Sequence, residues 1–485
     1  MNNNIFNKKI ELVIFLITLI YAGYFLGPQL ANQNSRYNAI YSVVEDGLNV
    51  PLFSINKFIL DPHQGINTVD WSLYNGNFYS NKAPGTILLG VPVYFVIANI
   101  QSFLGLDLNF PPVAYLNVYL INFFISVLPL AIASVCFCRL SSLYSKKNLE
   151  LTLILIFCTP LLPYSTSLWG HSTACSFLII GAYYLIKAQC KKDYFLAGLF
   201  LATTCSVDYF AILAVITIIL YGLIKKPKCL FGLIMGGCLP ILLTLWYHYI
   251  CFGNIFATST TYTNIKFLDE NLLLGMFGTP KIEIFKTLLL HPTTGILFMM
   301  PIFLLSIFGI VPYKNKSNYL LYVICLTLSV TYCFWNSSFN GWHGGNPIFY
   351  RYLIIISPFL VILLIPLLTI QNLFTKLILF FLSLASAFNM LVITSVSTMT
   401  TTDLPTNPLY GDLYSLFFEG NLSYGKYYIR NAWLNYEIYN DYKHLSSWNI
   451  GQLLGIQGLY SLVPLLITIV FLFFLLNYHF RKIKN

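Results

Sequence analysis

Residues 112–138, PVAYLNVYLINFFISVLPLAIASVCFC, run for 27 positions without one ionisable acid or base, and Arg139 follows at once. A helix needs about 20 mainly apolar residues to cross the hydrocarbon core of a bilayer, and a strand pattern would alternate instead of running on. This stretch therefore decides the fold class: a helical membrane protein. The rest of the 485-residue chain agrees, with 57% hydrophobic, 17% aromatic and 9% charged residues. Soluble chains carry about 25% charge, because a water-facing surface needs it. The composition excludes a cytosolic enzyme, a secreted disulfide scaffold, a disordered chain and a β-barrel.

Working outward from 112–138, the same criterion predicts about twelve transmembrane helices: roughly 10–27, 112–138, 149–167, 172–187, 194–207, 208–224, 229–252, 293–312, 318–335, 350–370, 377–396 and 457–479. Lys and Arg concentrate in short cytoplasmic loops. Starting inside with Lys8 and Lys9, the alternation puts Arg139, Lys146, Lys147, Lys187, Lys191, Lys192, Lys225, Lys226, Lys228, Lys314, Lys316, Lys376, Arg481, Lys482 and Lys484 in the cytoplasm. That is 17 of 27 basic residues, against 3 of 17 acidic ones. Both termini are then cytoplasmic and the protein is multi-pass. Counting the apolar stretch 86–104 as a span would invert every later loop, so it is expected to be an outer juxtamembrane or re-entrant helix. The first span lacks a small-residue cleavage site and reads as a retained anchor. The formal charge of +10 is a consequence of topology and not a nucleic-acid signal. The eleven cysteines all fall in or beside apolar runs and read as small apolar fillers.

The chain divides into a tail and first anchor (1–27), a long outer loop (28–111), a membrane core (112–396) containing the outer loop 253–292, a last outer loop (397–456), and a final span with a basic tail (457–485). Loops this long carry function or a fold of their own. In the first, Tyr37, Ile40, Tyr41 and Val44 recur at helical spacing over 35–47, between Asn34 or Ser35 and Gly47 as caps. An amphipathic helix on the outer leaflet is expected there, with Arg36 near one end and Glu45 and Asp46 at the other. Asn75-Gly76 is a tight-turn dipeptide between aromatic runs. Lys82 stands two residues before Pro84, which suits the first position of a helix. An ammonium beside a helix N-terminus is suited to a phosphate, and at a membrane surface the nearest phosphate belongs to a lipid. A lysine snorkelling at the lipid boundary explains the same position.

Two stretches, QNSRYNAI (33–40) and NGNFYSNKAPG (75–85), resemble the DE-x-RY-x-x-I and NG-x-x-Y-x-x-K-P-P segments of polyprenyl-phosphate-dependent glycosyltransferases with the GT-C fold. Bacterial aminoarabinose transferases and protein O-mannosyltransferases belong to that group. The resemblance implies that Lys82 binds the carrier phosphate with Arg36 nearby. It also exposes a departure: the acidic pair of the family motif falls on Gln33 and Asn34, and its second acidic position falls on or near His171. A base must then come from elsewhere, with Asp70, twelve residues before Lys82, as first choice and Asp46 or Glu45 as alternates.

Further outer positions complete the expected site. Asp208 is an acid inside a nearly continuous apolar run, and such groups default to functional candidates. NSSFNGWHGGNPIFYRYL, 336–353, resembles a W-x-GG…P-R-Y-L segment of bacterial GT-C proteins and nominates Trp342, His343 and Arg351. His291 precedes Pro292 at the start of a later span and reads as structural. Six of seven tryptophans fall on the outer side, which suits sugar stacking as well as an interfacial belt. The loop 397–456 is expected to serve as a lid or acceptor region. No motif calls for a cofactor or a metal.

The expected function is a glycosyltransferase of the bacterial inner membrane. It would move a sugar from a polyprenyl-phosphate donor to a glycan, lipid or protein acceptor, inverting the anomeric centre. A lipid-linked sugar transporter, or a non-catalytic envelope protein of similar fold, is the rival reading.

Overall fold

In the computed structural model, residues 2–59, 68–108, 110–292, 294–310, 318–345, 348–399, 408–423 and 447–484 are described. The protein is mostly helical. The first half contains α1 (Asn2–Gly23), α2 (Ala31–Tyr41), α3 (Asn56–Ile59), α4 (Gly85–Phe103), α5 (Pro111–Asn122), α6 (Leu128–Ser142), α7 (Asn148–Phe157), α8 (His171–Lys187), α9 (Lys191–Val207), α10 (Ile212–Lys225) and α11 (Leu230–Phe252). A single wide turn, Phe123–Val127, joins α5 to α6 without a break.

Among the described residues, seven helices are long and apolar enough to cross a membrane by length and composition: Gly85–Phe103, Pro112–Ser142, Leu230–Phe252, Tyr319–Ser338, Arg351–Leu368, Leu373–Ser395 and Gly458–His479. Several expected spans are shorter or broken. The helix expected over 149–167 stops at Phe157, because Pro160 and Pro163 follow and the chain closes in a short turn, Pro163–Ser165. The stretch expected over 293–312 breaks at Pro301 into Ile296–Met299 and a tighter helix, Pro301–Ile310. The expected span 172–187 begins one residue earlier, at His171, and 194–207 begins at Lys191.

The helices share two distinguishable ends. At one, Arg139 of α6 forks onto Glu11 of α1 with distances of 2.7 and 2.5 Å, Lys147 meets Glu150 at 2.6 Å, and the Lys226 ammonium donates to the carbonyls of Ile186 and Ala188. At the other, the Tyr119 hydroxyl donates to the Gly23 carbonyl, the Gly27 amide to the Thr166 carbonyl and the Asn122 amide to the Ser165 carbonyl. The rise from Asn122 to Arg139 is about 25 Å at 1.5 Å per residue, close to a hydrocarbon thickness of about 30 Å. The first residues of α5 therefore project beyond that level.

α4 lies against this projection. Gln101 donates to Asn117 at 2.6 Å, and a Cβ on Gly90 would touch Ile40 and, at 3.8 Å, Ile121. The start of α4 abuts the end of α9, where a Cβ on Gly85 would come within 2.5 Å of the Val207 backbone. Its neighbours are thus those of one end of the bundle, although its length and composition would also suit a crossing. Phe95, Val96, Ile100 and Phe103 form an exposed apolar face along it.

α2 differs from its expected form. It begins at Ala31, capped by Gln33 reaching back to the Leu30 amide at 3.1 Å, and it passes at Tyr41 into a wide turn, Ser42–Asp46. Every residue from Asn32 to Tyr41 is buried. It is not a helix lying on a leaflet with one face in water; it is enclosed between α4, the hairpin described below and the bundle end. Two short antiparallel pairs complete the scaffold: Phe25–Leu26 with Trp448–Asn449, and Trp71–Tyr74 with Asn77–Ser80. All eleven cysteines are free thiols, eight of them buried, as their apolar settings predict.

Candidate functional site

The site starts from a two-residue turn. Asn75 and Gly76 both have positive φ, 48° and 76°. This matches the twist of the right-handed hairpin and suits Asn-Gly. The turn sets the register: Tyr74 pairs with Asn77 and Trp71 with Ser80. Asp70 and Lys82, just outside the two strand ends, are thereby brought to one edge. Lys82 Nζ lies 3.0 Å from Asp70 Oδ1, with both side chains mostly covered. The hairpin is fixed on both sides. Ser35 of α2 donates to the Asp70 carbonyl at 2.5 Å and contacts Ser80 Oγ at 2.7 Å; Thr68 donates to the Ala31 carbonyl. The loop after α11 adds backbone bonds from Leu73 to Tyr262 and from Asn264 to Trp71.

Arg36 enters from α2, one helical turn above Asn32, whose carbonyl and side-chain oxygen both accept from Nη1. Its other nitrogen, Nη2, lies 2.8 Å from where a Cβ on Gly170 would sit, and Gly170 has φ +81°. Only glycine meets both demands, so the residue before α8 lets the guanidinium approach the start of that helix. His171, the next residue, holds Asp208 at 2.7 Å through Nδ1. Asp208 ends α9 and also accepts from the Phe210 amide at 3.0 Å. Arg351 comes from a tight turn at Arg351–Ile356 and stacks over Trp169 at 4.9 Å and Tyr352 at 5.4 Å. Gly344, at φ +73°, passes within 3.0 Å of its Nε, measured from an added Cβ.

Arg36, Asp70, Lys82, His171, Asp208 and Arg351 therefore form one charged cluster, drawn from five separate segments. Its electrostatics are strongly coupled. Burial pulls the Lys82 ammonium down to about 8, with the Arg351 and Arg36 charges adding to this and Asp70 opposing it. Burial alone would raise Asp70, but Lys82, Arg351 and Arg36 together hold it below the ordinary carboxylate value. Arg36 is pulled to about 10, chiefly by burial and next by Arg351, and so stays charged at neutral pH.

The cluster has open valences. Arg36 Nε and Arg351 Nε are buried without a hydrogen-bond partner, as is the Nε2 of Gln33. A buried donor left unpaired costs about 1–3 kcal/mol, more if charged, so such atoms point to a missing acceptor. Three cations face two carboxylates and a histidine, a net charge of about +1 when the imidazole is neutral.

The remaining expected residues lie apart. Asp46 sits at the far end of α2, about 15 Å along the helix from Arg36. It pairs with Lys57 at 2.7 Å, and Glu45 beside it accepts from Tyr94. Neither joins the cluster. Trp342 faces Tyr350, with ring centres 5.7 Å apart, and His343 Nδ1 folds back to accept from the Gly345 amide. Both belong to the turn that carries Gly344 past Arg351. His291 hydrogen-bonds Thr294, which also meets Tyr350. Lys314 and Lys316, Trp433, and most of the loop expected to act as a lid lie outside the described residues. Trp169 and Tyr352 were not among the expected site residues; their signal was adjacency in sequence to His171 and Arg351. Among the described residues no group of three or more His, Cys, Asp or Glu is placed to hold a metal ion. No family model matches the chain, and neither does any curated protein or solved structure.

Proposed function

We propose that the protein is a membrane glycosyltransferase that uses a polyprenyl-monophosphate sugar, as the resemblance of its first loop to GT-C enzymes implies. One observation carries the reading: Arg36, Lys82 and Arg351 converge at one end of an apolar bundle, two of them with buried unpaired donors. A prenyl-phosphate sugar is a phosphodiester with one negative charge and an apolar tail, and it would bring this cluster close to neutrality. As the sugar leaves, a second charge develops on the phosphate, and preorganised cations stabilise that charge without reorganising. In this reading the site faces the outside of a bacterial inner membrane and both termini are cytoplasmic. About twelve segments traverse or enter the bilayer, and the acceptor is a glycan, lipid or protein of the envelope.

The close pairing with Lys82 supports a positioning role for Asp70. It holds the ammonium in place and keeps it protonated. The test is incubation of purified protein with radiolabelled undecaprenyl-monophosphate hexose and envelope extract. Sugar transfer is expected, and Lys82→Ala should lower turnover by about 10²–10³, the usual loss for one preorganised donor. Movement of the labelled lipid between leaflets without transfer would support a transporter instead. Neither activity, or full turnover by Lys82→Ala, would overturn the reading.

A further inference from the structure

Resting on that reading, we infer that His171, oriented by Asp208, is the general base that takes the acceptor's proton. The geometry supplies the dyad. His171 is the first residue of α8 and Asp208 terminates α9; their contact is 2.7 Å, and both side chains are about nine-tenths covered. A carboxylate only accepts, so the proton in this bond sits on Nδ1. The lone pair is then on Nε2, the tautomer a base requires. Asp208 is itself held by the Phe210 amide, which leaves the imidazole a fixed orientation.

Aromatic rings cover one side of the imidazole. Tyr352 meets it edge to face at 5.1 Å, and Phe210 stacks on Tyr352 at 4.7 Å and on Trp335 at 4.9 Å. Arg36 and Arg351 also act on the ring as nearby cations, and Asp208 is its carboxylate partner. Asp70, the carboxylate expected from sequence, is a poorer base, because Lys82 occupies one of its oxygens at 3.0 Å and the surrounding cations stabilise its charge.

The step balances. The acceptor oxygen attacks the anomeric carbon as the carbon–oxygen bond to phosphate breaks. The bonding pair goes to the phosphate, which changes from a monoanionic diester to a dianionic monoester. The acceptor proton passes to His171 Nε2, giving an imidazolium against Asp208. Arg36, Lys82 and Arg351 receive the new phosphate charge, so the site's total charge is unchanged throughout. The proton then leaves to water as product departs.

The test uses full-length protein and radiolabelled undecaprenyl-monophosphate hexose. His171→Gln should lower kcat by about 10²–10⁴ while unlabelled undecaprenyl monophosphate binds within about threefold of wild type. Wild-type kcat/KM should fall on the acid side of neutrality, and that limb should vanish in His171→Gln. Asp208→Asn should cost at least tenfold in kcat, because the amide can hold the ring in the wrong tautomer. Wild-type kcat, or a retained acid limb, in a His171→Gln protein that still binds the lipid would overturn this assignment and leave the transferase reading standing. If His171→Gln fails to bind the lipid, Asp208→Asn with unchanged turnover would overturn it alone. A wild-type protein that transfers nothing would sink both.

Discussion

Lys82 and Asp70 show how much a single contact can decide. The ammonium is buried enough to titrate near 8, and Asp70 is the main group opposing that shift. The sign follows directly. A phosphate prefers the charged lysine, so affinity for undecaprenyl monophosphate should weaken as pH rises from neutrality through about 8. Removing the carboxylate takes away the group that holds the proton on, so Asp70→Asn should move this alkaline loss to lower pH. Calorimetric titrations between neutral and alkaline pH would check both. A loss in the variant that begins at higher pH than in wild type would contradict the pairing. Arg351 is held differently, between Trp169 and Tyr352. Cation–π contacts of this kind are worth about 0.5–2 kcal/mol. Trp169→Leu should therefore weaken lipid binding several-fold, while Trp169→Phe should recover much of it.

At the scale of elements, backbone contact at glycine is the recurring device. A Cβ at Gly198 or Gly236 would lie 2.1 or 1.9 Å from carbonyl oxygens of the facing helix, so α9 and α11 touch main chain to main chain. Gly236→Ala should cost about 1–3 kcal/mol, as overpacking does, seen as a lower thermal midpoint in detergent. Gly85→Ala is the more selective change. It sits three residues after Lys82 and presses on Val207, just before Asp208. Wedging these apart should reduce sugar transfer more than thermal stability. Equal losses in the two would mean that this contact does not set the site. The hairpin was legible in advance from Asn75-Gly76. The Asp70–Lys82 ion pair was also written in the register of that hairpin: a two-residue turn forces Trp71 opposite Ser80. It becomes visible once the strands are counted outward from the turn. The burial of α2 was not legible, because its apolar periodicity is the same whether its polar face meets water or other side chains.

For the whole molecule, charge is sorted by end. Arg139, Lys147 and Lys226 engage partners at one end, and the ion cluster occupies the other. Cys190, exposed between α8 and α9, reports on the first; Leu48, 91% exposed, reports on the second. In intact cells that make the protein, a membrane-impermeant maleimide should label Leu48→Cys. Cys190 should react only after the membrane is opened. The reverse pattern would turn the site toward the cytoplasm and remove the proposed role. The apolar face of α4, with Phe95, Ile100 and Phe103, should rest on lipid without crossing it. Cysteines placed at its two ends should accordingly label from the same side.

The amino-acid sequence determined by itself that this is a helical membrane protein, where its apolar stretches run, and that Asp208 is a costly charge in need of a reason. Those conclusions depend on transfer free energies and local turn chemistry, which act residue by residue. Only tertiary structure decided that six ionisable groups from five segments share one cluster, that Asp46 belongs elsewhere, and that His171 has Asp208 as its partner. The physical reason is range. The His171–Asp208 contact joins residues 37 positions apart, and Arg36 reaches Gly170 from well over 100 positions away where a glycine lets it approach, an outcome of packing that no local pattern encodes.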